Sequence, residues 1–217
     1  MTGFVHLRVH TEYSLVDSTV RIPELMEAAA KLRIPAIGVT DAGNLFAVIK
    51  AVAEGEKHGA CAYGTEAMHV LRAEKGYIIV GQDTDGSVTP IDLGMSVMVS
   101  KTKDFIGRRS LARSDTARTD RKQLVGLLSD DGKTVLPEGG QLVNMAQSVA
   151  PPVPMQGHVT SSYFSPALGH PIAMALLKSG HQRMGQKVYC ALEDGRHVAT
   201  TVCSPVFYDP EGKHHHD

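Results

Sequence analysis

The sequence predicts an α+β chain in three parts: an N-terminal βαβα segment, a helix-plus-strand region, and a small C-terminal antiparallel β-barrel or sandwich. Two patterns carry this expectation. Strand-like and helix-like periodicities alternate over roughly the first 58 residues, which is the signature of βαβ organisation and a parallel pair. Beyond residue 121 short strand-like runs crowd together, separated by turn residues, as in small all-β barrels. The change in texture puts boundaries near residues 56 and 120, giving segments 1–56, 57–120 and 121–217.

Element by element, "FVHLRVH" (Phe4–His10) alternates apolar and polar residues like a half-buried strand. "PELMEAAAKL" (Pro23–Leu32) has proline in the first turn and good helix formers behind it. "IPAIGVTD" (Ile34–Asp41) reads as a short strand, and a second helix is expected from about Leu45 to His58. Thr65–Lys75 is expected to be helical, with Met68, Val70 and Leu71 facing a core. Tyr77–Val80 reads as a strand, "DTDGS" (Asp83–Ser87) as a polar turn and "DFIGRRSLAR" as a short helix. The barrel strands are expected in "QLVGLLSD", "QLVNM", "GHVTSSYF", "PIAMALL", "KVYCALE" and "HVATTVCS", with Ser148–Met155 a proline-rich loop.

Composition narrows the function classes. A formal net charge of −1 gives no reason to expect nucleic acid or an anionic membrane as a partner, because both need a basic surface. The three cysteines, Cys61, Cys190 and Cys203, are widely spaced and form no CxxC pair, which fits a reducing compartment and a cytoplasmic location. No apolar run is long enough to span a bilayer.

Two families are resembled. "FVHLRVHTEYSLVDS" followed by "IPAIGVTDAGNLF" is similar to the start of the polymerase-and-histidinol-phosphatase domain of bacterial DNA polymerase III alpha subunits. That family implies strand-end imidazoles and carboxylates holding metal ions that activate water for phosphoester cleavage. Here arginine (Arg8) and alanine (Ala42) stand where two of the implied histidines belong. His10 and Asp41 remain, too few to close a hydrolytic site, so no metal is expected and this pair is only the alternative.

From about Lys57 to Gly212, the chain resembles the C-terminal region of the alpha subunit of heterotetrameric sarcosine oxidase, itself similar to the glycine cleavage T-protein. The motifs are Leu71-Arg72-Ala73-Glu74-Lys75-Gly76 and "GHVTSSYFSPAL" (Gly157–Leu168). The resemblance implies an aminomethyltransferase-like module that binds tetrahydrofolate and passes one-carbon units to it. Arg72, Glu74 and Tyr163 are the folate-binding candidates: a guanidinium fork for a carboxylate or pterin carbonyl, an acceptor for pterin N–H groups, and a stacking ring. The alternative for the same residues is an Arg72–Glu74 ion pair on a helix and a Tyr163 in the barrel core. The family's N-terminal half, with its catalytic aspartate, would lie before Tyr63 and has no counterpart here. The sequence therefore reads as a chimera that binds a reduced folate without catalysis of its own, needs no cofactor to fold, and exposes edges through which copies would self-associate. The competing readings are a non-catalytic segment fusion and a metal-dependent phosphoesterase remnant.

Overall fold

The computed structural model describes residues 4–146 and 152–215, and they divide after Thr65 into two compact units. In the smaller unit, β1 (His6–Val9) and β2 (Ile37–Val39) form a two-stranded parallel sheet. Between them runs α1 (Ile22–Lys31), with Pro23 and Glu24 in its first turn and Lys31 in its last, paired to Glu27 at 2.7 Å. Arg33 ends it in the left-handed region at φ 53°, a place glycine usually takes, and Ile34 N–H closes the turn onto the Ala29 carbonyl at 3.0 Å. The helix α2 (Ala47–Glu56) follows β2. Ile22, Met26 and Ala47 are the buried centre of this unit, with Tyr13, Ile37, Val39 and Ala51 around them. Leu7, Leu15, Val16, Leu45 and Ile49 are exposed.

In the larger unit, α3 (Thr65–Glu74) precedes a long, mostly irregular stretch that contains a 3-10 turn at Ser96–Met98 and a one-turn helix, α4 (Arg108–Leu111). Six strands then close a barrel in the order β3-β6-β5-β4-β7-β8, all neighbours antiparallel. They are β3 (Lys122–Ser129), β4 (Gln141–Val143), β5 (Gly157–Ser165), β6 (His170–Lys178), β7 (Lys187–Ala191) and β8 (His197–Cys203). Each falls within a residue or two of its expected place.

Two apolar layers share these strands. Val125, Leu127, Leu142, Val159, Ala173, Ala175, Leu177, Val188 and Val202 fill the interior. Leu124, Ile172, Met174 and Leu176 point outward and pack with Ala73 of α3 and with Ile78, Val88, Leu93, Tyr163 and Phe207. Alternate residues of β3 and β6 therefore serve opposite faces, and both faces are covered. That is why both strands read as unbroken apolar runs.

Two expectations fail. Met68 and Leu71 face solvent, because α3 presents Ala73 and Glu74 to the barrel instead. Tyr77–Val80 is not a strand; only an isolated bridge joins Val80 to Thr84. Of the proline-rich loop, Pro152–Met155 has no regular structure and residues 148–151 lie outside the described ones.

Candidate functional site

Arg72 lies on the last turn of α3, where the helix meets the outer face of the barrel. Its Nη1 donates to Asp83 Oδ2 at 2.5 Å and to the Tyr77 carbonyl at 3.1 Å. Its Nη2 donates to Ser161 Oγ at 2.7 Å and to Tyr163 Oη at 3.3 Å, and the guanidinium carbon sits 5.7 Å from the Tyr163 ring centre. Nε–H is buried and has no partner. Four of the five guanidinium donors are thus directed at protein acceptors.

Asp83 is the counter-charge, fully buried at 0% exposure. Besides Arg72, its carboxylate accepts from Ile79 N–H at 2.9 Å and from the hydroxyls of Thr160 and Ser161, each at 2.6 Å. Two consecutive residues of a regular strand point to opposite faces. Here the β5–β6 register shifts between Val159 and Ser161, and this irregularity lets both hydroxyls reach one carboxylate oxygen. The buried charge is thereby both paired and hydrogen-bonded, as a buried charge must be.

Glu74, also buried, does not pair with Arg72. Its side chain accepts from Ser165 Oγ at 2.5 Å, while its backbone carbonyl accepts from the Phe207 and Tyr208 N–H groups at 2.9 and 2.8 Å. Lys75 adds bonds to Asp209, at 2.7 Å to the carbonyl and 3.1 Å to the carboxylate. The segment Ser204–Asp209 is therefore a strap across α3. A second buried pair, Arg121 with Asp92 at 3.0 Å, ties the irregular stretch to the start of β3. The sequence named Arg72, Glu74 and Tyr163 as folate-binding candidates; the structure brings Arg72 against Tyr163, turns Glu74 to Ser165, and adds Asp83, Thr160 and Ser161, which the sequence reading missed. Asp83 looked like part of a polar turn, and nothing in "VTSS" marks where a strand loses register.

In the smaller unit the alternative metal pair is engaged elsewhere. Arg8 Nε donates to His10 Nε2 at 3.2 Å, and Asp17 lies 3.6 Å from His10 Nδ1. Asp41 accepts from Thr11 N–H (2.5 Å), Thr11 Oγ1 (2.6 Å) and Ser14 Oγ (2.7 Å). Among the described residues no group of three or more His, Cys, Asp or Glu could hold a metal ion. Partial burial raises the Asp41 pKa, but the three hydrogen bonds outweigh it and hold the carboxyl below its ordinary 3.8. A lowered folded value means the stabilisation is present in full above the ordinary value and is lost as pH falls through the lowered one. Asp41→Ala is expected to cost about 1–3 kcal/mol near neutral pH, because it strands three donors. Exchange protection of the Thr11 and Ala42 amides reports it, and the gap between wild type and variant should narrow on acidification.

A closed six-stranded barrel, capped by a helix whose arginine is locked to a buried aspartate, is similar to the C-terminal barrels of aminomethyltransferases. Residues 122–209 match the glycine cleavage T-protein C-terminal barrel domain and residues 6–152 match the PHP domain; the chain belongs to the PHP family, and its likeness to both makes it a chimera. It is 51% identical over 162 residues to the sarcosine oxidase alpha subunit of Corynebacterium sp. (strain U-96), covering 74% of this chain and 17% of that one. It is 33% identical over 145 residues to the aminomethyltransferase of Thermotoga petrophila, covering 67% of this chain and 37% of that one. The crystal structure of glycine cleavage system aminomethyltransferase T from Bartonella henselae superposes with a TM-score of 0.59 at 26% identity, over 74% of this chain and 44% of that one. The chain spans only 16–19% of the length of the sarcosine oxidase alpha subunits it matches. Among the described residues no helix is long and apolar enough to cross a membrane.

Proposed function

We infer that the larger unit is a partial tetrahydrofolate-binding module, contributing Arg72, Glu74 and Tyr163 to one wall of a folate site and performing no catalysis of its own. The observation that carries this reading is Arg72: a buried, rigidly held guanidinium with one N–H donor, Nε, that no protein group accepts. A pterin carbonyl or a glutamate carboxylate has the acceptor such a donor lacks. Glu74 then acts through the strap, fixing the end of α3. The functional division follows the ancestry: 1–56 as the PHP-like segment, 57–120 as the partial folate region and 121–217 as the barrel. The sarcosine oxidase relatives are named as alpha subunits, and we extend to this chain an origin in a multi-subunit, cytoplasmic enzyme of one-carbon metabolism. Transfer of the one-carbon unit belongs to that longer ancestor, since this chain covers little of its length.

A second reading rests on a specific observation: the other four Arg72 donors and the Glu74 carboxylate are spent within the protein. On that reading the constellation is a fold lock inherited without its ligand. Calorimetric titration with 5-formyltetrahydrofolate separates the two. The folate reading expects saturable heat that falls about tenfold in affinity, or roughly 1.4 kcal/mol, in Tyr163→Phe, which keeps the ring but removes the Oη beside Arg72. No heat from a chain that still melts cooperatively leaves the fold lock.

A further inference from the structure

We propose that the segment Val97–Arg113 is a docking surface for an acidic protein partner that carries apolar side chains among its carboxylates. Lys101, Lys103, Arg108, Arg109 and Arg113 are all exposed, and none of them forms an ion pair among the described residues. Against the single acid Asp104 they leave this stretch at 5 − 1 = +4, in a chain whose total is −1. Every other arginine cluster nearby is neutralised: Arg118 by Asp115 and Asp120, Arg121 by Asp92 and Asp115. Five exposed cations without an ion pair are thus gathered within one short stretch.

Apolar side chains are interleaved with them. Val97 is 91% and Met98 79% exposed, and Ile106 is bare at the turn before α4. Arg108 donates to the Lys101 carbonyl at 3.4 Å, which folds the stretch back on itself and gathers both ends of the cationic run. Isolated soluble units seldom expose apolar side chains in such clusters without a use for them. Arginine and methionine are also the residues that interfaces favour.

Charge complementarity fixes the chemistry of the occupant. The cations require carboxylates opposite, which steer the encounter, and the valine, methionine and isoleucine require apolar groups that close the contact to water. A phosphate backbone would answer the first need and leave the second unmet. This surface and the Arg72 constellation are independent claims: folate titration does not read the first, and the peptide experiment below does not read the second.

The test is fluorescence anisotropy of the full chain with a labelled amphipathic peptide of about 18 residues, glutamates on one helical face and leucines on the other. Polyglutamate and a single-stranded oligonucleotide of equal charge serve as competitors. The expected result is binding of the amphipathic peptide at least about tenfold tighter than of either competitor, weakened on raising salt from about 50 to about 300 mM. Arg109→Glu with Arg113→Glu should reduce it about tenfold, and so should Ile106→Ser. Ile106, Arg109 and Arg113 are exposed, and among the described residues their side chains form no ion pair, so the melting of these variants should match wild type. Equal binding of polyglutamate would reduce the surface to a charge patch and overturn the proposal. Tighter binding of the oligonucleotide, no binding at all, or dimerisation of the chain lost in Ile106→Ser would overturn it in favour of nucleic acid, a solvated face or a second copy.

Discussion

Arg72→Ala is expected to destabilise the larger unit by about 3–5 kcal/mol, the cost of leaving a buried carboxylate without its counter-charge. Asp83 is the group left behind. It has 0% exposure, no water to turn to, and three neutral donors that relieve only part of its charge. For a unit of this size the loss corresponds to a fall of roughly 6–20 °C in melting temperature. Urea titration measures it directly. The double variant Arg72→Met with Asp83→Leu removes both charges and should recover most of the loss, because an apolar replacement of a buried pair is often close to neutral. If the double variant is as unstable as the single one, packing of the guanidinium rather than its charge holds α3 in place.

The strap gives the second large effect. Gly126 lies on the outer face of β3, and a Cβ there would collide with the Ser204 carbonyl and come within 2.8 Å of Phe207 Cζ. Gly76, at φ 71°, would place a Cβ 2.7 Å from the Pro205 carbonyl. Alanine at either position is expected to cost about 1–3 kcal/mol through overpacking against backbone, with roughly 1 kcal/mol more at Gly76 for its left-handed conformation. Both changes lift one strap, so their sum should exceed the effect of the pair. Hydrogen exchange at the Phe207 and Tyr208 amides, which bond to the Glu74 carbonyl, reports the lifting before global unfolding does. Unchanged protection there would mean the strap adapts without leaving α3.

The barrel was legible because its strands carry their own record. The alternation in β7 and β8, the two-faced apolar runs of β3 and β6, and the turns between them follow from local periodicity. The same holds for α1 and α2. What escaped was long-range. Whether Met68 or Ala73 faces the barrel depends on how closely α3 approaches it, and the small side chain wins where the backbone comes near. Asp83 hides in a string of turn residues, and its role exists only because a register shift on β5, some 77 residues later, aims two hydroxyls at it. Arg72 and Tyr163 could each be named from their motifs; the aspartate that holds Arg72 could not.

The covering of β6 on both faces has a consequence during synthesis. Ile172, Met174 and Leu176 on one side and Ala173, Ala175 and Leu177 on the other make a strand that, left bare, would seek any unpaired edge. Arg72 precedes Met174 by 102 residues. At ribosomal speed α3 emerges some 5–20 s before β6 is complete. The two strands that pair with β6, β3 and β5, are likewise synthesised before it, so both of its edges can meet their own partners as soon as it is complete.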